Sequence, residues 1–183
     1  LGDERALEAS PWRIIRERLR LGDQDEIPRG DSKMVKKIDH ICVAVRDLDG
    51  ARGVWEPLLG RKGPDLLYCH EPERIRVARY LVGETALELV ESTDPGGPIA
   101  KWIEKRGEGL MILSFKVEST TREVSRLESM GYEIVPDSQG RKLRTFGKWN
   151  FAFLKPQRLN GVLVELIDWD EGPSSSEKLY SAD

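Results

Sequence analysis

Apolar residues follow two different periods along this chain, and the two take turns. KIDHICVAV (37–45) alternates about a strand axis and is followed by a polar turn and a helix, LDGARGVWEPLLG (48–60). IRVARYLVG (75–83) and TALELVES (85–92) then read as two strands, with a shorter one near 66–68. After a helix at PIAKWIEKRG (98–107) the order recurs. Strand LMILSFKV (110–117) leads to helix STTREVSRLESMGY (119–132), a short strand near 132–135, and strands NFAFLKP (150–156) and GVLVELIDW (161–169). Each half is a βαβββ unit, so one supersecondary module is used twice.

Alternation also assigns faces, because successive side chains of a strand point to opposite sides. Ile38, His40, Cys42 and Ala44 share one side of the first strand, and Ile41, Val43 and Val45 share the other. In the matching strand Leu110, Ile112, Ser114 and Lys116 oppose Met111, Leu113, Phe115 and Val117. The uniformly apolar sides are expected under the helices, and the mixed sides on a concave surface. His40 and Ile112 then take equivalent places in the two halves. The closing strands pair Glu88 in ALELVE with Glu165 in VLVELID. A carboxylate on an apolar strand needs a partner, a metal or water. Two of them at repeat-equivalent positions form the most specific chemical signal in the chain.

The ends differ from this pattern. Ser10-Pro11 reads as a helix start, with Trp12, Ile15 and Leu19 at helical spacing and Gly22 as a stop. Polar GDQDEIPRGDSK follows as a linker. Residues 1–33 are therefore expected to form a helical arm and linker, 34–170 the folded domain with modules at about 36–92 and 109–168, and 171–183 a loose tail. So short a helix is marginal alone in water, so the arm is expected to dock on its own domain, a second copy or another protein.

Composition narrows the classes. With 39% hydrophobic and 33% charged residues in 183, the chain has a globular balance, and a net charge of -3 gives no basic field for nucleic acid. No apolar run approaches the ~18 residues of a membrane helix. Cys42 and Cys69 are too far apart for a CxxC pair, and no signal-like segment is recognisable, so reduced thiols and a cytoplasmic location are expected.

The stretches DHICVAVRDLDGA, RVARYLVGETALELVES, PIAKWIEKRGEGL and FLKPQRLNGVLVELI resemble the vicinal oxygen chelate superfamily, the glyoxalase and extradiol dioxygenase fold. Within it they are most similar to the methylmalonyl-CoA epimerase branch, over roughly residues 36–168. The resemblance implies an α+β fold in which two tandem βαβββ modules form an open, U-shaped mixed sheet around a divalent metal ion. It implies His40, Glu88 and Glu165 as metal ligands. The remaining ligand of that branch is the second histidine of a GEGLHHI-like motif, and here Gly107-Glu108-Gly109-Leu110-Met111-Ile112-Leu113 puts Ile112 in its place. The branch also carries a catalytic glutamate before the RVA strand. Glu73 lies nearest that place and Glu71 is its rival, so Glu165 and Glu73 are the candidate proton-transfer groups. The glycine-rich stretch of that branch is replaced by RKLRTFGKWN (141–150), which either meets phosphates or closes the site.

Three functions stay open on these residues. The first is an epimerase that removes the proton α to an acyl-CoA thioester, with self-association into a homodimer. The second is a metal-free, non-catalytic paralogue that serves an acyl-CoA enzyme as a subunit or ligand-binding partner, held through the N-terminal arm. The third is a sequestering protein of the antibiotic-resistance kind. His70, Cys42, Trp55, Trp102 and the cations Lys101, Lys105 and Arg106 each have a plain packing or surface reading. His70, placed at an exposed strand edge, is also within reach of a site short of a ligand.

Overall fold

A computed structural model of the chain describes residues 34–169. The helical arm expected over 1–33 and the tail over 171–183 lie outside the described residues. Within them the first module comprises β1 (Val35–Ala44), α1 (Leu48–Leu59), β2 (Leu66–His70), β3 (Ile75–Val82) and β4 (Thr85–Ser92). A linking helix, α2 (Pro98–Arg106), leads to the second: β5 (Gly109–Val117), α3 (Thr120–Ser129), β6 (Ile134–Val135), β7 (Arg144–Phe146), β8 (Trp149–Leu154) and β9 (Leu163–Ile167). Short 3-10 turns at Glu71–Glu73 and Pro156–Arg158 complete the set.

Local chemistry explains the boundaries. The Asp47 carboxylate accepts the amide protons of Asp49 and Gly50, which caps α1, and Gly60 ends it at φ 65. Pro57 falls in the last turn of α1, where it forgoes the amide bond to the Gly53 carbonyl close to the helix end. The Ser119 hydroxyl accepts from the Arg122 amide and opens α3. That helix stops at Ser129, three residues short of the expected end, and Gly131 turns the chain at φ 81. Strand β7 is an addition to the expected set.

The strands form one mixed, open sheet in the order β2-β3-β4-β1-β5-β9-β8-β6, with β7 paired to β8. Its order expresses the repeat. Each module places its last strand parallel to its first, β4 beside β1 and β9 beside β5, and the modules join through antiparallel β1 and β5. The apolar sides pack under helices in two places, but Met111, expected there, lies on the opposite face with Cys42 and Ile99 because the β1/β5 register shifts beside it. Val43, Val45, Ala78, Tyr80 and Leu89 pack with Leu48, Ala51 and Trp55 of α1. Val117, Ala152, Leu154, Val164 and Leu166 pack with Val124 and Leu127 of α3.

The other face carries the mixed residues. Along one row Arg79, Glu88, Cys42, Ile112 and Leu163 are successive neighbours across β3, β4, β1, β5 and β9. One step along, Ala86, His40, Ser114, Glu165 and Phe153 are neighbours across β4, β1, β5, β9 and β8. His40 and Cys42 therefore lie between the two glutamates. The register also makes His40 the counterpart of Ile112, Cys42 that of Ser114, and Arg79 that of Phe153.

Candidate active site and metal centre

The two rows floor a pocket of about 170 Å³. His40, Cys42 and Glu88 from the first module and Ile112 and Glu165 from the second share its floor. Tyr68, His70 and Glu73 come from β2 and the turn after it, Pro98 and Ile99 from α2, and Arg144, Phe151 and Phe153 from the second module. Trp169 closes one side. His70 thus lines the cavity with its ring 6.3 Å from that of Phe151, rather than standing at an exposed edge. Glu73 lines it as well, whereas Glu71 is exposed.

At the floor lies a buried cluster of charge. His40 Nδ1 is 2.9 Å from Asp39 Oδ2. His40 Nε2 is 2.9 Å from Glu165 Oε2 and 3.7 Å from Glu88 Oε2. Arg79 donates from Nη1 to Glu88 Oε1 and lies 3.4 Å from Asp39 Oδ2 through Nη2. Trp169 Nε1 donates to Asp39 Oδ1 at 2.8 Å, and its ring lies under the Arg79 guanidinium, 5.0 Å from centroid to Cζ. Asp39, His40, Arg79, Glu88 and Glu165 are each 3–6% exposed. Charges this deep persist only when paired or when they hold a cation.

Electrostatics follow from this packing. Burial works against the His40 imidazolium, but the charges of Glu88 and Glu165 and the hydrogen bond to Asp39 prevail and raise its pKa well above 6.5. Burial raises Glu88, and His40 and Arg79 more than reverse this. The Cys42 thiol, 3.4 Å from Glu88 Oε2, is pushed by burial up to about 12. Burial also raises Asp39, but hydrogen bonds from His40 and Trp169 and the charges of His40 and Arg79 hold it at about 2. A carboxyl lowered on folding contributes stability above its unfolded pKa and loses it as pH falls through the folded one. Chemical denaturation at a series of pH values is therefore expected to show stability falling from about pH 3.8 towards 2, with a shallower fall in Asp39→Asn.

Three of the residues expected from the repeat, His40, Glu88 and Glu165, converge here. Glu73, the fourth candidate, stands on the wall, where Arg144 Nη1 donates to its Oε1 at 2.8 Å. Four participants escaped the sequence reading. Asp39 breaks the strand alternation because the β1/β5 register shifts between Ile38 and His40, which lets adjacent residues both serve the cluster. Arg79 was legible: the two-residue turn Gly83-Glu84 pairs Val82 with Thr85, and that register puts Arg79 opposite Glu88. Arg144 rides on the additional strand β7, and Trp169 lies just beyond β9.

Comparison with known proteins accords with this geometry. Residues 39–153 match the family model of the glyoxalase/bleomycin resistance protein/dioxygenase superfamily. The chain belongs to this superfamily. Its relatives there include an ethylmalonyl-CoA/methylmalonyl-CoA epimerase of Cereibacter sphaeroides, 29% identical over 137 residues, which are 73% of this chain and 98% of that protein. An uncharacterised Bacillus subtilis protein, YqjC, is 28% identical over 143 residues, 73% of this chain and 93% of that one. Among solved structures, methylmalonyl-CoA epimerase from Mycobacterium tuberculosis superposes with a TM-score of 0.67 at 27% identity, covering 76% of this chain and 92% of that one. The mixed open sheet is thus the superfamily's fold, and the two relatives above that carry a named activity are epimerases of acyl-CoA.

Members of this superfamily commonly bind divalent metal ions. The residues present fit such an ion. Donor atoms of His40, Cys42 and Glu88 lie within 4.8 Å of one another. Glu165 Oε2 is buried in the same pocket and is held by its 2.9 Å contact with His40 Nε2. Asp39 holds His40 through Nδ1, and a cation that displaces the Nε2 proton would meet that lone pair in the pocket, the arrangement that orients histidine ligands.

Proposed function

We propose that the pocket catalyses an epimerase-like proton transfer α to the carbonyl of an acyl-CoA, on a cation held by His40, Glu88 and Glu165. The observation that carries this reading is the convergence of those three residues on one floor with Glu73 on the wall above. A divalent cation bound there would polarise the thioester carbonyl and stabilise the negative charge that develops as the α-proton leaves.

The protein's own side chains supply the remainder. Glu73 removes or returns the α-proton from the side of the first module. Glu165, facing His40 Nε2 from β9, serves the opposite side while completing the cation set. Arg144 positions Glu73 and offers its guanidinium to a second carboxylate on the acyl group. Phe151, Phe153, Ile99 and Val90 exclude water from the reacting carbon. Exposed Lys101 and Lys105 on α2, whose first residues Pro98 and Ile99 reach the pocket, suit the phosphates of coenzyme A.

A second reading draws on Arg79 and Ile112. Arg79 already neutralises Glu88 and Asp39, and Ile112 removes a donor, so the cluster satisfies much of its own charge and would serve a non-catalytic acyl-CoA binder. Solvent exchange separates the two. The purified full chain, incubated with methylmalonyl-CoA and a divalent cation in deuterium oxide, is expected to wash deuterium into the α-position, read by proton NMR. Binding of the thioester without exchange would favour the non-catalytic reading.

A further inference from the structure

The ligand set implied by the superfamily is one donor short at Ile112, and the structure offers another within reach. Cys42 is the residue directly across the β1/β5 ladder from Ile112. Its side chain enters the same pocket and is 3% exposed. Arg79 occupies Glu88 Oε1 and leaves Oε2 turned inward, 3.4 Å from Cys42 Sγ and 3.7 Å from His40 Nε2. A tetrahedral ion with bonds of about 2.0–2.3 Å separates its donors by roughly 3.3–3.8 Å, so both distances already have the length of such an edge. Glu165 Oε2 lies 2.9 Å from His40 Nε2 but outside the group formed by His40, Cys42 and Glu88, whose donors all lie within 4.8 Å of one another, so it joins the set by moving in from the His40 side. Its close contact with that nitrogen is the kind that an ion placed between them would relax.

We propose that Cys42 takes the place of the missing imidazole, so that the cation is held by His40 Nε2, Cys42 Sγ, Glu88 Oε2 and Glu165 Oε2. This rests on the reading that the pocket holds a divalent ion, and it names a donor that neither the repeat nor the resemblance assigned. The exchange of donor changes the expected metal. A thiolate is soft, and a site that contains one favours zinc or cobalt over magnesium or manganese, which prefer oxygen alone. Ile112 gains a role as well: it is the hydrocarbon wall beside the sulfur.

Cobalt titration of the full-length protein tests the assignment without an activity assay. Wild-type protein is expected to develop the near-ultraviolet thiolate-to-cobalt charge-transfer band, saturating at one ion per chain, and to bind cobalt in preference to magnesium. Cys42→Ser should abolish the band and weaken cobalt binding by at least ~10-fold, since even the outer-shell partners of metal ligands are worth about 10- to 100-fold. Cys69→Ser, altering a half-buried thiol outside the pocket, should leave the band intact. Should Cys42→Ser fail to fold, the wild-type band and its persistence in Cys69→Ser carry the test alone. Cobalt bound without the band, or a band lost in Cys69→Ser, would overturn the role of Cys42 and leave the cation site standing. No cobalt bound by wild type would overturn both.

Discussion

Replacing Glu73 by glutamine is expected to slow α-proton exchange by about 10²- to 10⁴-fold, the usual worth of a positioned acid–base group. Glutamine keeps the shape and retains an oxygen for the bond from Arg144, but it cannot take up the proton. The loss should therefore fall on the rate and leave thioester binding close to that of wild type. Glu71 is two residues away in the same turn, yet it is exposed and outside the pocket, so Glu71→Gln is expected to exchange at the wild-type rate. NMR exchange rates at saturating thioester decide between them. Wild-type exchange in Glu73→Gln would remove this residue from the chemistry.

Removing Arg79 is the change expected to cost most stability. Its guanidinium serves Glu88 and Asp39 at once, and all three side chains are buried. Arg79→Met keeps the volume of the chain but leaves those carboxylates without their cation. Breaking a buried pair from one side typically costs about 3–5 kcal/mol. Denaturant unfolding should show that loss, and a saturating divalent cation should recover part of it by supplying the missing positive charge. Arg79→Met combined with Glu88→Gln should be less destabilised than the sum of the single variants, because the second change removes one stranded charge. Additive losses would mean that Arg79 and Glu88 are not coupled. Because the counterpart of Arg79 in the second module is Phe153, Glu165 has no arginine across the ladder and depends on His40. The two glutamates, alike by repeat, are held by different means.

The parts of this arrangement that follow simple periodicity were legible from the residues. Glu88 and Glu165 stand on regular strands, His40 keeps the period of two with Cys42 between two bulges of β1, and the repeat gave each strand a partner to be checked against. Asp39 was hidden because a bulge breaks the period of two at the very residue that orients His40. Arg79 was hidden by treating strands one at a time, although the Gly83-Glu84 turn, with Gly83 at φ 62, defines the pairing with Glu88. Trp169 and Arg144 reach the cluster from beyond a strand end and from a strand of three residues, where pattern carries little information. Side chains that reach a site through tertiary contact rather than period leave no trace in one-dimensional spacing.

Metal stoichiometry reaches the central claim most directly. Full-length protein stripped with chelator, then dialysed against zinc or cobalt, should retain one divalent ion per chain by elemental analysis. Paired Glu88→Gln and Glu165→Gln substitutions should abolish that retention while the fold persists by circular dichroism. Ion content at background in the wild type, or retention undiminished in the doubly substituted protein, would contradict a cation site on the floor of this pocket.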